Sequence, residues 1–527
     1  MAPTQGGLQA KTEPGRMRDE NQPSMIYQIF PERFAIGKPN DIAKELSEPA
    51  YQRPGFTRHA SWDEEPTGES DFFGGDLRGI IDQLDYIMDL GAEAVYLTPI
   101  FSAYSNHKYD PVNYIVDPMF GDEAVLDQLM DGLHQRGMRL ILDAVLNHVG
   151  TEHEWFQAAR RGETPYRDFF TFLSDGALPE RRAERSLEPL YLSWWGYGSL
   201  PELRLEHPLL AKLLYGNPDS VLQRWLERGL DSWRFDAAID LGLGTVADIR
   251  RVLEDRFPKA ELIGEVVSFG SQFCAGEKHF HGVMNYWFRY ATLGWLQGTL
   301  SARGYMRAVS DYVHLYGHEG ALRSWNLLST HDTARLRNAL PDEALRKLAL
   351  VLQFTLPGVP FVYYGEENGM VGGDDPHNRR PMRWAPSEWD QTTRGFYRQL
   401  VAIRHERREL REGKLVLLEE YLDGEAVAYL RHTDVPNQEA LIVVNKSRQP
   451  LKQKLMVPHT HFDPKLWFKN LFALDEHIQF FQASFQLDIP PVSAAIYVPD
   501  DGFILPDGSK GKNYSFFKPR ILGADWP

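Results

Sequence analysis

The chain has 527 residues, of which 73 are acidic and 57 are basic, so its formal net charge is −16. An acidic surface of this kind argues against nucleic acid or an anionic membrane as the main partner. Hydrophobic residues make up 43% and charged residues 25%, which excludes a disordered or fibrous chain. The single cysteine excludes an internal disulfide. The length predicts two or three domains.

The N-terminal segment and the hydropathy pattern predict the location of the protein. Residues 1–24 are polar and lack the apolar stretch of a signal peptide. The sequence also has no run of about 18 apolar residues that could cross a membrane. We therefore expect a cytoplasmic protein without a membrane partner.

From residue 25 to residue 367, short apolar segments alternate with amphipathic helical patterns. Gly91, Gly137 and Gly229 follow three of the helical patterns, where helices commonly end. The alternation is typical of a parallel barrel or of a doubly wound sheet. The strand candidates are residues 25–30, 94–100, 139–145, 232–237, 261–266, 282–285, 323–329 and 361–364. Eight strands are the number that an α/β barrel of the TIM type, (β/α)8, requires.

Two segments depart from this alternation. Residues 150–200 are too long for an ordinary loop and rich in aromatic residues, which predicts a small subdomain inserted after strand three. Most of these aromatic side chains would form its core, whereas Trp194, Trp195 and Tyr197 are candidates for the cleft. Residues 411–500 show strand patterns without helices, at 414–421, 426–431, 441–445, 484–489 and 494–498, which predicts a C-terminal all-β sandwich. The barrel would comprise residues 25–149 and 201–410, with an extension at 1–24 and a tail at 501–527.

Polar side chains end four of the predicted strands. Because the active site of a barrel lies at the C-terminal ends of its strands, we expect these side chains to converge. They are Asp143, Asn147 and His148 after strand three, Arg234 and Asp236 at strand four, Glu265 at strand five, and His331 and Asp332 at strand seven.

Three converging carboxyl groups, Asp236, Glu265 and Asp332, fit the hydrolysis or transfer of a glycosyl unit. That reaction needs one ionised carboxylate and one protonated carboxylic acid. Crowding raises the pKa of one carboxyl group, and we expect Arg234 to lower the pKa of its neighbour. A metal site or an ion-pair network is the alternative, but Arg234 in the same cluster would oppose a cation. We therefore predict no metal site.

The same residues form an ordered series of motifs that resembles the α-amylase family, glycoside hydrolase family 13. The series is DAVLNH (143–148), WRFD (233–236), GE (264–265) and HD (331–332), supported by YQIFPERF (27–34), NHKYD (106–110) and DPHNRRPM (375–382). The resemblance covers about residues 25–498. It implies a TIM barrel with an inserted subdomain, and an enzyme that cleaves glycosidic bonds with retention of configuration.

The resemblance also implies a role for each site residue. Asp236 would be the nucleophile, Glu265 the general acid and then base, and Asp332 the carboxylate that holds sugar hydroxyl groups. Arg234 would orient the nucleophile. The remaining implied substrate-binding residues are Tyr109, His148 and His331 at the cleaved sugar, with Asp375 and Arg379 at the neighbouring subsite. For Asp375 and Arg379, a rim salt bridge is an equally good interpretation, and Asp143 and Asn147 would be structural.

Within the family, the segment LPEL (200–203) and Asp240 look most like the branch of neopullulanases, cyclomaltodextrinases and maltogenic amylases. That branch usually has an N-terminal β-domain that supports a dimer, whereas residues 1–24 alone precede the barrel here. We therefore leave the oligomeric state open and expect short maltooligosaccharides to be preferred to starch. No cofactor is expected. A structural Ca²⁺ at Asn147 stays open, because Asp240 replaces the histidine that assists it in α-amylases.

Three functions follow from these residues. The first is a retaining α-glucan hydrolase that cleaves α-1,4 bonds of maltooligosaccharides, with α-1,6 bonds also open. The second is a transglycosylase or a glucosyl transferase of the sucrose or trehalose type, which shares the first half-reaction. The third is a non-catalytic glucan-binding or ancillary protein, which typically lacks one of the three carboxyl groups.

Overall fold

The computed structural model describes residues 22–37, 57–59, 61–172, 191–276, 278–422, 424–435, 437–458 and 466–500. The tail at 501–527, most of the extension at 1–24 and part of the inserted segment lie outside these ranges. Across the described ranges, none of the helices combines the length and apolar character that crossing a membrane requires.

Eight parallel strands close into a barrel, which confirms the predicted fold class. Each strand pairs with the next one along the chain, and the last pairs back with the first. Prediction and structure agree on all eight strands to within three residues at either end. The strands are β1 (Ile26–Ile29), β2 (Ala94–Leu97), β3 (Arg139–Ala144), β4 (Ser232–Phe235), β5 (Glu261–Val266), β6 (Gly282–Asn285), β7 (Trp325–Leu327) and β8 (Val359–Tyr363).

The last two barrel strands differ most from the sequence pattern. The seventh strand is only three residues long, because just the middle of the apolar segment 323–329 pairs with its neighbours. The eighth begins two residues earlier than expected and includes Pro360, a residue type that strands disfavour.

Helices cover the outside of the barrel. Asp76 and Asp122 cap two of them by accepting main-chain N–H groups, and Gly91 ends another with a positive φ of 88°. The segment at 77–90, which precedes Gly91, forms two helices with a break at Gln83. The α-helices are Pro31–Phe34, Leu77–Asp82, Leu84–Leu90, Glu123–His134, Glu154–Arg160, Pro208–Ala211, Val221–Glu227, Leu243–Arg256, Ser271–Cys274, Tyr286–Gln297, Ala302–Leu315, Gly317–Arg323, Leu336–Ala339, Glu343–Thr355, Gln391–Glu406 and Arg408–Glu412.

Shorter helices and small sheets connect these elements. The 3-10 helices are Tyr166–Phe169, Trp194–Gly196, His377–Arg379, Pro386–Glu388 and Glu419–Tyr421, and Lys212–Gly216 is a π-helix. Two small sheets pair Thr57–Arg58 with Asp71–Phe72, and Phe101–Ala103 with Pro111–Val116.

Side chains fill the barrel lumen, so the barrel is a packed core rather than a pore. These side chains include Ile26, Ala94, Tyr96, Ile141, Ile263, Met284, Trp325, Leu327, Val359 and Phe361. The mouth above this layer is the place where polar side chains can gather.

The inserted segment has the aromatic core that its composition predicts. Phe156 packs against Phe170 and Tyr191, and Trp155 packs edge-on against Phe169. Residues 173–190 of this segment lie outside the described ranges.

Antiparallel strands form the C-terminal domain as two sheets, one of six strands and one of two. The six-stranded sheet has the order β9 (Lys414–Leu417), β10 (Ala426–His432), β11 (Glu439–Asn445), β16 (Ser493–Pro499), β13 (Trp467–Asn470) and β14 (Ala473–Gln479); the second pairs β12 (Leu451–Met456) with β15 (Ser484–Ile489). Leu455, Phe468 and Phe485 lie in the core between the sheets. The sandwich is confirmed, although β12, β13 and β14 were not predicted.

Candidate active site

Adjacent strands deliver the predicted carboxyl groups to one place at the barrel mouth. In the parallel register, Asp143 of β3 pairs with Arg234 of β4, and Phe235 pairs with Gly264. Gly264 is required just before Glu265, because a Cβ at this position would lie 2.5 Å from the ring of Phe280. The bare backbone lets β5 pack closely and aims Glu265 at the mouth.

Arg234 is the centre of the site. Its Nη1 donates to both oxygens of Asp143 at 2.8 Å and to Asp236 Oδ1 at 3.1 Å. Its Nη2 lies 2.8 Å from Glu265 Oε1. The guanidinium is fully buried, and it holds the side chains of three neighbouring strands side by side.

The turn after β4 provides a second link between Asp236 and Glu265. The main-chain N–H of Ala237 donates to Glu265 Oε2 at 3.0 Å. Ala237 has a positive φ of 44°, a conformation that residues with a Cβ rarely adopt and that concentrates at functional sites. The backbone next to Asp236 is therefore shaped to receive Glu265.

The protonation of this cluster differs from the expectation in one respect. Burial raises the pKa of Asp236 well above its usual value and also raises the pKa of Glu265, while Arg234 acts in the opposite direction on both. Arg234 lowers the pKa of Asp236 as expected, but burial outweighs this effect, so the net shift of the Asp236 pKa is upward. The physical reason is that one guanidinium faces three buried carboxyl groups, including Asp143, and its single charge cannot offset the desolvation of all three.

Asp332, which follows β7, has a different environment from Asp236 and Glu265. Burial acts to raise the pKa of Asp332, but His331 and Arg379 bring it below the usual value. Arg379 Nη2 contacts Asp332 Oδ1 at 3.1 Å, and Arg379 Nη1 contacts Asp375 Oδ2 at 3.2 Å. The structure thus links Asp375 through Arg379 to Asp332, and the rim ion pair and the subsite interpretations both remain compatible with these contacts.

The predicted sugar-binding side chains line the same mouth. The rings of Tyr109 and His331 stack with centroids 5.4 Å apart, and the Tyr109 hydroxyl donates to Asp143 Oδ2 at 2.8 Å. His148 Nε2 lies 3.0 Å from the carbonyl oxygen of Tyr109. Burial lowers the pKa of His148 to about 4 and that of His331 to about 3, so both imidazoles are neutral at pH 7. All predicted site residues converge here, while their roles stay predictions.

Three further polar side chains of the site were missed. Tyr96 of β2 donates to Asp143 Oδ2 at 2.6 Å, and Gln28 of β1 lies 2.8 Å from His331 Nδ1. Tyr286 directly follows β6, and burial together with Glu265 and Asp332 raises its pKa well above the usual value. The rule of inspecting strand ends would have found Tyr286, whereas Tyr96 lies inside a strand and carries no such signal.

The described residues contain no group of three His, Cys, Asp or Glu side chains arranged to hold a metal ion. The Asn147 side chain lies next to His148, with Nδ2 3.4 Å from the ring Nδ1. A structural Ca²⁺ at Asn147 therefore stays an open prediction.

Comparison with known proteins agrees with this geometry. Residues 28–409 match the family described as the alpha amylase catalytic domain. Neopullulanase 2 of Thermoactinomyces vulgaris is 34% identical over 478 residues, covering 90% of this chain and 77% of that protein. A cyclomaltodextrinase of a Bacillus species is 35% identical over 427 residues, covering 80% and 72% respectively. The solved cyclic α-maltosyl-(1→6)-maltose hydrolase from Arthrobacter globiformis superposes with a TM-score of 0.73 at 26% identity, covering 90% of this chain and 98% of that chain.

Proposed function

The chain belongs to the α-amylase family and is a glycoside hydrolase, and we propose that it cleaves α-1,4 bonds of maltooligosaccharides with retention of configuration. The predicted resemblance to neopullulanases and cyclomaltodextrinases is confirmed. Cleavage of α-1,6 bonds belongs to the same proposal, since one structural relative is named for the hydrolysis of an α-maltosyl-(1→6)-maltose ring.

The observation that carries this proposal is the shared contact of Asp236 and Glu265 with one guanidinium. Because neighbouring nitrogens of Arg234 bind the two carboxyl groups, these groups lie close together on one side of the mouth. A short separation favours direct attack by a carboxylate, whereas inversion needs room for a water molecule between the groups.

In the first step, an Asp236 oxygen attacks the anomeric carbon as the bond to the leaving oxygen breaks. Glu265 donates its proton to that oxygen, and the raised pKa of Glu265 favours the protonated form that this step needs. Arg234 stabilises the Asp236 carboxylate during the attack. In the second step, the Glu265 carboxylate takes a proton from water, whose oxygen displaces Asp236 and restores the α-configuration.

The other side chains act on the sugar rather than on the bond. Tyr109, His148 and His331 line the same mouth, where they can position a sugar ring by contact with its faces and hydroxyl groups. Asp332, with its lowered pKa, is ionised and can accept hydrogen bonds from two neighbouring hydroxyls of a distorted ring.

Two measurements test the proposal. Proton NMR during the cleavage of maltotriose should show the α-anomer of the new reducing end first. A 5-fluoro-α-glucosyl fluoride, which forms the intermediate quickly and loses it slowly, should add one sugar mass to the peptide that contains Asp236. A β-anomer first, or labelling of another residue, would contradict the retaining mechanism with Asp236 as nucleophile.

The preference for short chains is a separate part of the proposal. Depletion kinetics should give a larger kcat/KM for maltotriose to maltohexaose than for soluble starch, compared per accessible chain end. A strong preference for starch with internal cuts would instead indicate a long open cleft. The cytoplasmic location likewise stays a prediction.

A further inference from the structure

Lys108 lies in the loop of residues 104–110, which joins the two paired segments Phe101–Ala103 and Pro111–Val116. Its side chain is fully buried, although an ammonium group is costly to remove from water. Lys108 directly precedes Tyr109, the predicted stacking residue of the mouth. No step of the proposed reaction uses the Lys108 side chain, so its burial needs another explanation.

The Lys108 ammonium has several partners inside the protein. Its Nζ donates to Asp117 Oδ2 at 2.7 Å and to the carbonyl oxygen of Ala103 at 3.1 Å. The centroids of the Phe72 and Phe120 rings lie 5.5 Å and 5.4 Å from Nζ. A carboxylate, a carbonyl oxygen and two aromatic rings together offset the loss of hydration.

Asp117 ties the ammonium to both ends of the loop. Its Oδ2 also accepts the main-chain N–H of Ala103 at 3.2 Å, and its Oδ1 accepts the N–H of Met119 at 2.9 Å. Asp117 directly follows Pro111–Val116, so the ion pair connects the loop to the strand on each side of it. Because a buried ion pair adds little net stability relative to apolar side chains of the same volume, we interpret this pair as fixing the position of the loop.

The backbone at Lys108 is a second, independent observation. Its φ of 64° lies in the left-handed region, which glycine and asparagine adopt at a lower cost than lysine. A residue with a long side chain therefore occupies this position at a cost in backbone energy. Backbone strain of this kind concentrates where a side chain serves the function of the protein.

Tyr109 extends from the same loop into the mouth. Its hydroxyl lies 2.8 Å from Asp143 Oδ2 and 2.8 Å from His331 Nε2. Its carbonyl oxygen lies 3.0 Å from His148 Nε2. Because Lys108 and Tyr109 are adjacent, any movement of the Lys108 backbone also moves the point from which the Tyr109 ring extends.

We propose that Lys108 is a positioning residue of the reaction: its ammonium, held by Asp117, fixes the loop so that the Tyr109 ring stands at the sugar whose bond is cleaved. This inference rests on the proposed function, in which Tyr109 contacts that sugar. Lys108 is buried and does not itself reach a sugar in the mouth. It acts through Tyr109, because a displacement of about 1 Å in a positioning group can lower the rate about 10²-fold.

The test is a double-mutant cycle for Lys108 and Tyr109, with maltotriose as the substrate. Lys108→Met keeps most of the side-chain length and removes the ammonium, and Tyr109→Ala removes the ring. Asp117→Asn is a second variant, because it weakens the hold on the ammonium and keeps an oxygen for main-chain N–H groups. The kcat and KM are measured at a temperature at which circular dichroism shows every variant to be folded.

Lys446 provides the matched control. Its Nζ donates to the carbonyl oxygen of Trp295 at 2.7 Å, forms an ion pair with Glu425 at 2.9 Å, and lies 5.7 Å from the centroid of the Trp295 ring. Trp295 is near the C-terminal end of the helix Tyr286–Gln297, which is the end opposite the mouth. Lys446→Met therefore removes a comparable, largely buried ammonium away from the candidate active site.

We expect Lys108→Met to lower kcat/KM about tenfold to thirtyfold, with most of the loss in kcat, because the ring is misplaced for the transition state. Tyr109→Ala should lower kcat/KM about 10²-fold, and adding Lys108→Met to it should change kcat/KM less than about twofold. Asp117→Asn should lower kcat/KM about threefold to tenfold in the parent protein and not in Tyr109→Ala. Lys446→Met should lower the melting temperature and leave kcat/KM unchanged.

Losses that multiply in the double variant would overturn the proposal, because Lys108 would then act independently of Tyr109. An unchanged kcat/KM in folded Lys108→Met would also overturn it and leave the proposed function intact. If Lys108→Met does not fold, the cycle of Asp117→Asn with Tyr109→Ala decides the question by the same criterion. A parent protein that cleaves no α-glucan would overturn the proposed function and this inference with it.

Discussion

Among the buried arginines of the described residues, those at two places differ clearly in their partners. Arg234 at the barrel mouth binds three carboxyl groups. Arg404 and Arg431, between the barrel and the C-terminal domain, bind main-chain carbonyls of residues such as Phe354, Leu410, Gly358, Thr355 and Gly413. The same side chain thus organises reactive groups in one region and joins two domains in the other.

The pKa directions express the same contrast. Burial acts to lower the pKa of all three guanidinium groups, but Asp143 and Glu265 raise that of Arg234 well above its usual value. Burial and Arg431 lower the pKa of Arg404, and burial lowers that of Arg431 to about 10. At these two places, the arginine bound by carboxyl groups belongs to the candidate site, whereas the two that face carbonyls join the barrel to the C-terminal domain.

The largest expected effect is the loss of the nucleophile. Asp236→Asn should lower turnover of maltotriose by at least about 10⁴-fold, because an amide cannot attack the anomeric carbon. A carboxyl group whose pKa is raised by folding lowers the free energy of unfolding as the pH rises above about 4, and burial raises the pKa of Asp236. The melting temperature of Asp236→Asn should therefore stay the same or rise. The matched control is Asp248→Asn on the exposed helix Leu243–Arg256, which should keep full activity. Retention of more than a few per cent of activity would contradict the assignment.

Removal of the acid should give a loss that depends on the substrate. Glu265→Gln should lower the hydrolysis of maltotriose by about 10²- to 10⁴-fold, while fluoride release from α-maltosyl fluoride should change much less. In the parent protein, kcat/KM for maltotriose should fall at alkaline pH with an apparent pKa above the usual glutamate range, because burial raises the pKa of Glu265. This fall reports loss of the Glu265 proton and should be absent with the fluoride. Equal losses with both substrates would show that Glu265 is not the acid.

Substitution of Arg404, between the two domains, should lower the stability of the protein and leave its catalysis unchanged. Arg404→Met leaves three buried carbonyls without their donor and should cost about 3 kcal/mol of unfolding free energy, measured by urea denaturation. The kcat at 25 °C should stay unchanged. Arg398→Met on the same helix removes an exposed ion pair with Asp89 and should cost less than about 0.5 kcal/mol. A large fall in kcat of folded Arg404→Met would break the contrast between the two regions.

The smallest expected effect is at the rim. Asp375 is 55% exposed, and its ion pair with Arg379 should contribute less than about 1 kcal/mol to stability. If Asp375 binds sugar, Asp375→Asn should raise the KM for maltotriose about tenfold with little change in kcat. Asp63→Asn, which breaks a second rim pair with Arg383, is the control and should leave KM unchanged. An unchanged KM in Asp375→Asn would establish the simple rim salt bridge.

The elements predicted best are those whose apolar pattern is strong and local. The bounds predicted for β5, β6 and β15 are those that the structure shows. The strand β14 has the sequence ALDEHIQ and was missed, because an edge strand with exposed side chains has no apolar pattern. Its place is decided by pairing with β13.

The residues of the candidate site also include some that the sequence pattern predicted and others that it missed. The strand-end pattern placed Asp236, Glu265 and Asp332 together, because parallel strands of a barrel all end at one rim. It did not find Tyr96, whose hydroxyl reaches Asp143 from the neighbouring strand. A contact across strands depends on register, and register leaves no trace in the spacing of residues along one strand.

By itself, the sequence determined the order of strands and helices, the family and the carboxyl groups at the barrel mouth. These features depend on periodicity and on motifs that are continuous in the chain. The tertiary structure alone decided that Arg234 is shared by Asp143, Asp236 and Glu265, and that burial outweighs its charge at Asp236. It also placed Trp194 on Asp240 and left Trp195 exposed. The physical reason is that electrostatic energies and exposure depend on distances and desolvation between segments that only folding brings together.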